Sequence, residues 1–243
     1  PVPSLQRPQF LFAPYLSEAA LSLIFKGDIG AISLIGFSIV LLKNLYTVCS
    51  FSVKFRFFSK TGSTILIVFS DTLKAGASGT SFDTIVCFGP MRRISTIRQV
   101  DTRTLKAGEC VLIDMGCVWQ GYCSDMTRTF YCKSADPEQT EIHDIVREAV
   151  FKAESVIKPG VKFCDIDAQA RDYIDEKAIA NLEDRLGHFI GQEDHEYGDV
   201  SPINKNEAEP GMIFSIEPGI YIEGKYGVRI EDLVLVTEDG HEL

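Results

Sequence analysis

Four carboxylates and two histidines stand at spacings that suit metal chemistry. In VLIDMGCVWQGYCSDMTRTF, Asp114 and Asp125 lie in two β-like runs joined by a turn, and in FSIEPGIYIEGKYGVRIEDLVLV, Glu217 and Glu231 do the same. A turn centred between Trp119 and Gln120 would make Asp114 and Asp125 directly opposed cross-strand neighbours, with Cβ atoms roughly 4.5–5.5 Å apart on one face. The midpoint of Glu217 and Glu231 is Gly224, so a three-residue loop Glu223-Gly224-Lys225 would oppose the two glutamates as well. Pro218 has no amide hydrogen and should interrupt the ladder beside Glu217, where a bulge would spoil the pairing. Like charges opposed on a sheet destabilise it unless something positive lies between them. Carboxylates splayed into water would avoid the problem for one pair. For two pairs in apolar strands, divalent cations are the simpler counter-charge.

Histidine supplies the next candidate ligands. The chain has four, and two of them, His188 and His195, fall in GHFIGQEDHE between the two hairpins. A spacing of seven with Gly191 inside it suits loop and strand geometry and not the helical zinc motif. His143 and His241 read as ordinary surface residues.

The rest of the composition narrows the setting. A chain of 243 residues has room for one larger domain or a domain with an appendage. Its net charge of −10 argues against nucleic acid, whose phosphates demand a basic face. Seven cysteines, an odd number without zinc-ribbon spacing, include Cys110, Cys117, Cys123 and Cys132 in strand-like sequence. Free cysteine there behaves as a small buried hydrophobe, which predicts a reducing, cytoplasmic compartment. Residues 1–70 carry six basic and two acidic residues, which leaves 18 basic and 32 acidic for 71–243, a net of −14. The longest uncharged run in that first part, 29–42, is 14 residues and shorter than the ~20 needed to span a membrane. A buried element is expected there, and the leading residues lack the basic start of a signal peptide.

The elements that must position the candidate ligands follow from periodicity. Residues 136–158 predict a helix, with Asp136 as cap, Pro137 in the first turn, Glu138 and Glu141 at the positive end, and Ile142, Ile145, Val146, Ala149 and Ala153 on one face. Pro159-Gly160 ends it, and a second helix is expected over 165–182. Strands are expected over 111–115, 124–132, 212–217, 220–222 and 228–237. Helices and strands mix without βαβ alternation, so the fold class is α+β.

Taken together, LIDMG, YCSDMTRTF, GHFIG with HE following, SIEPGIY and GVRIEDLVLVT, in this order, resemble the creatinase/aminopeptidase P/methionine aminopeptidase family, peptidase M24, the "pita-bread" metallopeptidases. The resemblance covers residues 73–243, leaving 1–72 as a divergent N-terminal segment. It implies a curved antiparallel sheet flanked by helices and a metal set of Asp114, Asp125, His188, Glu217 and Glu231. By that likeness Asp125 and Glu231 bridge two metals, Asp114 completes one, and His188 and Glu217 the other. The short interval between Glu217 and Glu231 is closest to Xaa-Pro dipeptidases (prolidases) and Xaa-Pro aminopeptidases, and five retained ligands argue against the creatinase branch. The implied reaction is hydrolysis of the N-terminal peptide bond, preferably Xaa-Pro, by a metal-bridging hydroxide. Glu217 would shuttle the proton, His195 would bind substrate or oxyanion, and Arg229 would bind substrate or orient carboxylates. An Arg229 that is simply a solvated strand residue fits the sequence equally well. An oxygen-rich set favours Mn²⁺, with Co²⁺ or Zn²⁺ as alternatives. The implied partner is a peptide, and a homodimer is compatible with the family.

Three departures stand beside the match. The family's histidine before the first metal strand falls near Thr96 here, and a hydroxyl cannot carry an imidazole's proton. Phe189 replaces the usual glycine after His188. Residues 1–72 do not read as the family's opening helices. A pseudo-peptidase of the same fold, acting as a binding module, is therefore the rival reading, and a metal hydrolase of non-peptide bonds is a third.

Overall fold

The computed structural model describes the backbone at 32–39 and 49–55, together with residues 73, 76–90, 105–177 and 185–243. Thr96 and 178–184, where the second helix was expected to end, lie outside the described residues. In the first part β1 (Ile32–Ile39) pairs antiparallel with β2 (Cys49–Phe55), a hairpin that the composition did not announce. Of their side chains nothing is described, so the burial expected for 29–42 is not addressed.

From residue 85 onward the strands are β3 (Ile85–Phe88), β4 (Cys110–Met115), β5 (Val118–Trp119), β6 (Tyr122–Cys123) and β7 (Met126–Tyr131). Two helices follow, α1 (Pro137–Ser155) and α2 (Phe163–Glu176). Then come β8 (Gly187–Phe189), β9 (Glu196–Val200), β10 (Ile213–Ile216), β11 (Gly219–Ile222), β12 (Tyr226–Arg229), β13 (Asp232–Val236) and β14 (His241–Glu242). Every strand pairing among the described residues is antiparallel: a five-stranded sheet in the order β14-β13-β10-β8-β9, a three-stranded sheet β3-β4-β7, and the ribbons β5-β6 and β11-β12. The class is α+β, as expected.

Helix α1 begins where its cap dictates. Asp136 accepts from the Gln139 amide, and Gln139 Oε1 accepts from the Asp136 amide, a reciprocal box that satisfies two orphan donors. Ile142, Val146, Ala149 and Ala153 on its inner face pack with Ile166, Ala170 and Ile174 of α2 and with Phe214, Ile216, Val228 and Val234 of the strands. The helices therefore clamp the back of the sheets and leave the other side for chemistry. His143 and His241, expected on the surface, are half-buried: His143 stacks edge-on against Tyr131, and His241 Nδ1 donates to the Ile157 carbonyl. Cys110 and Cys117 are buried, Cys123 and Cys132 half-buried, and all six described cysteines are free thiols.

The two hairpins differ in how they meet expectation. In the first, Val118 pairs with Cys123 and Trp119 with Tyr122, and the register continues to Met115 with Met126 and Asp114 with Thr127. The turn is thus centred between Gln120 and Gly121, one residue beyond the expected centre, and both hold left-handed backbone, φ +51° and +85°. That is the mirror-image two-residue turn that matches strand twist. Asp114 consequently faces Thr127, and Asp125 is its diagonal neighbour. In the second, Ile222 pairs with Tyr226 around Glu223-Gly224-Lys225, with Gly224 at φ +73°, as the spacing predicted. Gly219 pairs with Arg229, and beyond Pro218 the ladder resumes with Ile216 opposite Asp232. The interruption at Pro218 is present, yet the register is identical on both sides, so no bulge has shifted it.

Gly187 is the closest point of the five-stranded sheet. A Cβ there would lie 1.9 Å from the Ser215 carbonyl oxygen. Gly187→Ala is expected to lower unfolding free energy by about 3 kcal/mol, because backbone atoms and not a flexible side chain must move. Denaturant titration measures it, and an unchanged midpoint would contradict so tight a contact.

Candidate functional site

Five candidate side chains gather where ladders break. Asp114 projects from β4, and Asp125 follows Ser124 at the junction between β6 and β7. His188 is the middle residue of β8. Glu217 and Glu231 occupy facing positions in the gap between the β10-β13 and β11-β12 ladders. Freed from each other, their amides bond elsewhere: Glu217 N–H to the Leu186 carbonyl at 2.9 Å, and Glu231 N–H to the Thr127 carbonyl at 3.2 Å. The break thus ties the second hairpin to β7 and to the start of β8, and this convergence brings the two hairpins and the histidine segment together.

Asp125, His188 and Glu231 each offer a ligand atom within 4.8 Å of the others'. His188 Nδ1 donates to the Phe189 carbonyl at 3.1 Å, so in neutral imidazole the lone pair is on Nε2. Nε2 stands 3.4 Å from Asp125 Oδ2 and 3.4 Å from Glu217 Oε1. Arg229 donates through Nη2 to Asp114 Oδ2 and through Nε to Thr127 Oγ1 at 3.0 Å, and its Nε lies 3.7 Å from Glu217 Oε2. It is turned into the carboxylates and is not a solvated strand residue.

Burial grades the set. His188 is 2% and Glu231 1% exposed, whereas the Glu217 side chain, at 16%, is the more open carboxylate. Asp114 Oδ1, Asp125 Oδ1 and Glu231 Oε1 are buried without a hydrogen-bond partner. Burial pushes the Asp125 carboxyl up to about 9, helped by the charges of Asp114, Glu217 and Asp194. Burial likewise raises Glu231 well above the carboxylate range, with Asp125 and Glu217 adding to it. Asp114 is raised by burial too, against the pull of Arg229. For Arg229 burial works the other way, but Tyr221, Asp114 and Glu217 more than offset it and the guanidinium stays charged. One guanidinium among four carboxylates, three of them with orphaned buried oxygens, with an imidazole lone pair beside Asp125, Glu217 and Glu231, is a donor set that fits hard or borderline divalent cations.

His195 stands on the open side. Its ring stacks on His188 with centroids 3.9 Å apart and an interplanar angle of 24°. The side chain is 51% exposed, and its Nδ1 lies 2.9 Å from Asp194 Oδ2.

Sequence reasoning missed the residues that hold the carboxylates in place. Thr127 Oγ1 donates to Glu231 Oε2 at 2.8 Å while accepting from Arg229. Ser215 Oγ accepts from the His188 amide at 3.0 Å and donates to Glu217 Oε1 at 3.2 Å. Each lies two residues from a candidate ligand, on the same strand face, and period-two alternation could have found both.

Residues 63–238 match the model of metallopeptidase family M24. The chain is similar to an uncharacterized peptidase of Staphylococcus epidermidis, 46% identical over 171 residues that cover 70% of this chain and 48% of the relative. It is also similar to an uncharacterized peptidase of Staphylococcus aureus, 47% identical over 169 residues, with 69% and 48% covered. It thus spans about half the length of the curated relatives it matches. Among solved structures it is similar to X-Pro aminopeptidase from Thermotoga maritima, with TM-score 0.72, 34% identity, and 77% of this chain and 53% of that one covered. Prolidase from Pyrococcus furiosus gives TM-score 0.70 and 34% identity, with 76% and 56% covered. Xaa-Pro dipeptidase from Bacillus anthracis gives TM-score 0.70 and 36% identity, with 75% and 52% covered. The α+β arrangement is the pita-bread fold of these structures. No helix among the described residues is long and apolar enough to cross a membrane.

Proposed function

From the premise that this chain belongs to metallopeptidase family M24, a metal-dependent hydrolase family acting on peptides, we propose that it removes or splits off an N-terminal residue before proline, with two divalent cations as cofactors. The observation that carries this reading is the convergence of Asp125, His188 and Glu231, with Glu217 3.4 Å from His188 Nε2, Asp114 held by Arg229 beside them, and three buried carboxylate oxygens without partners. His188 and Glu217, together with Asp125 and Glu231, would hold one cation, and Asp114, together with Asp125 and Glu231, would hold the other. The oxygen-rich donors favour Mn²⁺, with Co²⁺ or Zn²⁺ as alternatives. Bound there, such cations supply Lewis acidity, which lowers the pKa of water and polarises a scissile carbonyl.

The chain's own groups do the rest. Glu217, the more open carboxylate, takes the proton of the attacking water and returns it to the leaving nitrogen as the C–N bond breaks. Ser215 and Arg229 hold its two oxygens in place meanwhile. His195 meets the substrate: with Asp194 beside Nδ1, its other ring nitrogen is left to bond a substrate group. Arg229 pulls Asp114 toward its charged form and aims it. Likeness to an X-Pro aminopeptidase, a prolidase and an Xaa-Pro dipeptidase supports the Xaa-Pro preference.

The test loads metal-stripped protein with Mn²⁺ and follows release of the first residue from Xaa-Pro dipeptides and longer Xaa-Pro peptides. Mn²⁺-dependent release is expected. Two bound equivalents without cleavage would favour the pseudo-peptidase, a reading encouraged by the lack of histidine near Thr96. Failure to bind any divalent cation would sink the proposal.

A further inference from the structure

The segment that carries His195 runs into a glutamate whose carboxylate the metal site does not use. Strands β8 and β9 meet at Phe189 opposite Glu196, so residues 190–195 form the loop between them, with Asp194 and His195 at its end. The first half of this loop is tied to β6. The Cys123 amide donates to the Gly191 carbonyl at 2.7 Å, and Cys123 Sγ donates to the Gln192 carbonyl at 3.4 Å. Glu196 ties the loop from the other end. Its side chain turns back into the loop, where Oε1 accepts from the Gln192 amide at 2.7 Å and, more loosely, from the Glu193 amide at 3.4 Å. Glu196 is exposed, so burial does not force that posture, and pointing into water would preserve its rotamer freedom. One carboxylate oxygen gathering two successive amides is a charge-assisted arrangement that offsets the lost freedom. Gly191 makes the room: a Cβ there would lie 2.3 Å from Glu196 Oε1 and 2.7 Å from its carboxyl carbon. The carboxylate thus fills the volume that a side chain at 191 would need.

We infer that Glu196 is a positioning residue for His195: by closing the 190–195 loop over Gly191, its carboxylate fixes the backbone from which the imidazole meets the substrate. This rests on the reading of His195 as the group that bonds the substrate. An imidazole that is half exposed on a loop holds a productive place only if the backbone beneath it is held. A misplacement of about 1 Å is enough to cost on the order of 100-fold in rate. Such an effect passes through His195, and a general loosening of the fold does not.

The experiment measures kcat and KM of the Mn²⁺-loaded full chain on a dipeptide and a tripeptide beginning Ala-Pro, and deuterium exchange at the Gln192 and Glu193 amides of the metal-free chain. Glu196→Ala should speed exchange at both amides by about tenfold or more and lower kcat/KM by about tenfold or more. Glu196→Gln, whose carboxamide oxygen still accepts from both amides, should stay within about threefold of the parent in each measurement. In the His195→Ala background, adding Glu196→Ala should change kcat/KM by less than about threefold, because the role is spent once the imidazole is gone. Gly191→Ala places a methyl group where the flexible carboxylate sits and should reproduce Glu196→Ala, which keeps the test decisive if that variant folds poorly. Parental kcat/KM or parental amide exchange in Glu196→Ala and Gly191→Ala overturns the proposal. So does a Glu196→Gln protein as impaired as Glu196→Ala, or a double variant in which the two losses multiply. A parent without Mn²⁺-dependent release overturns the peptidase reading and this role with it, whereas an active parent beside an unaffected Glu196→Ala overturns only the role of Glu196.

Discussion

An Asp125→Asn protein is expected to lose roughly three orders of magnitude in metal-dependent peptidase rate, since a lost ligand removes several kcal/mol of charge stabilisation. Stripped of metal, the same protein should unfold at a higher temperature than the parent. The two effects have one cause. Asp125 is buried among Asp114, Glu217 and Asp194, with one oxygen unpartnered, and an ionised carboxylate there is favourable only beside a cation. Asparagine keeps the shape and removes the charge. Without metal the folded chain must hold that charge or take up a proton, and relief of this cost stabilises the metal-free fold by about 1–3 kcal/mol, the scale of a buried polar group without its partner. Peptide cleavage with saturating Mn²⁺ and thermal unfolding in EDTA read the two arms separately. A variant that retains the rate would remove Asp125 from the ligand set, and one that melts below the parent in EDTA would show the carboxylates are not mutually strained.

The metal-free protein should also lose stability as pH rises from 7 to 9. Asp125 is raised from 3.8 to about 9 and Glu154 from 4.5 to about 8, so the fold holds protons that the unfolded chain has released. A carboxyl raised in this way contributes stability that is complete below its unfolded value and is lost as pH climbs through the folded one. His143, lowered by burial from 6.5, contributes fully above that value and does not confuse the window. Each retained proton gives a slope of up to about 1.4 kcal/mol per pH unit, so a fall of roughly 2–3 kcal/mol is expected across the window. With Mn²⁺ present the trend should reverse, because metal binding requires the ionised carboxylates. Urea unfolding at several pH values, with EDTA and with Mn²⁺, gives both curves. A flat or rising EDTA curve would mean the carboxylates are ionised without a cation.

The metal-site geometry was legible in the sequence to different depths. Glu217, Pro218, Gly224 and Glu231 mark the ends, the break and the turn of one hairpin, and counting from Gly224 gives its register. The first hairpin was misjudged by one residue in its centre because Gln120 adopts left-handed backbone, which glycine announces and glutamine does not. Gly121 beside it was the available cue. His188 was found by its segment, but its environment depends on the approach of β8 to β10 at Gly187, a tertiary fact that no local pattern encodes. Thr127, Ser215 and Arg128 act through partners between 1 and 104 residues away in sequence, and only the folded arrangement shows what they touch. In helix α1 the cap and the apolar face were both readable.

The unbroken register across Pro218 limits how this hairpin can change in length. A single inserted residue in either arm between Glu217 and Glu231 would slide one glutamate past the other and turn the strand beyond it face for face. The tip at Glu223-Gly224-Lys225 is exposed and lies outside both ladders. Extra residues placed there extend the loop and leave both arms in step. Length variation, whether drifted or engineered, therefore has one permitted address on this hairpin, and a reporter peptide spliced at Gly224 should report on the protein without unmaking its site.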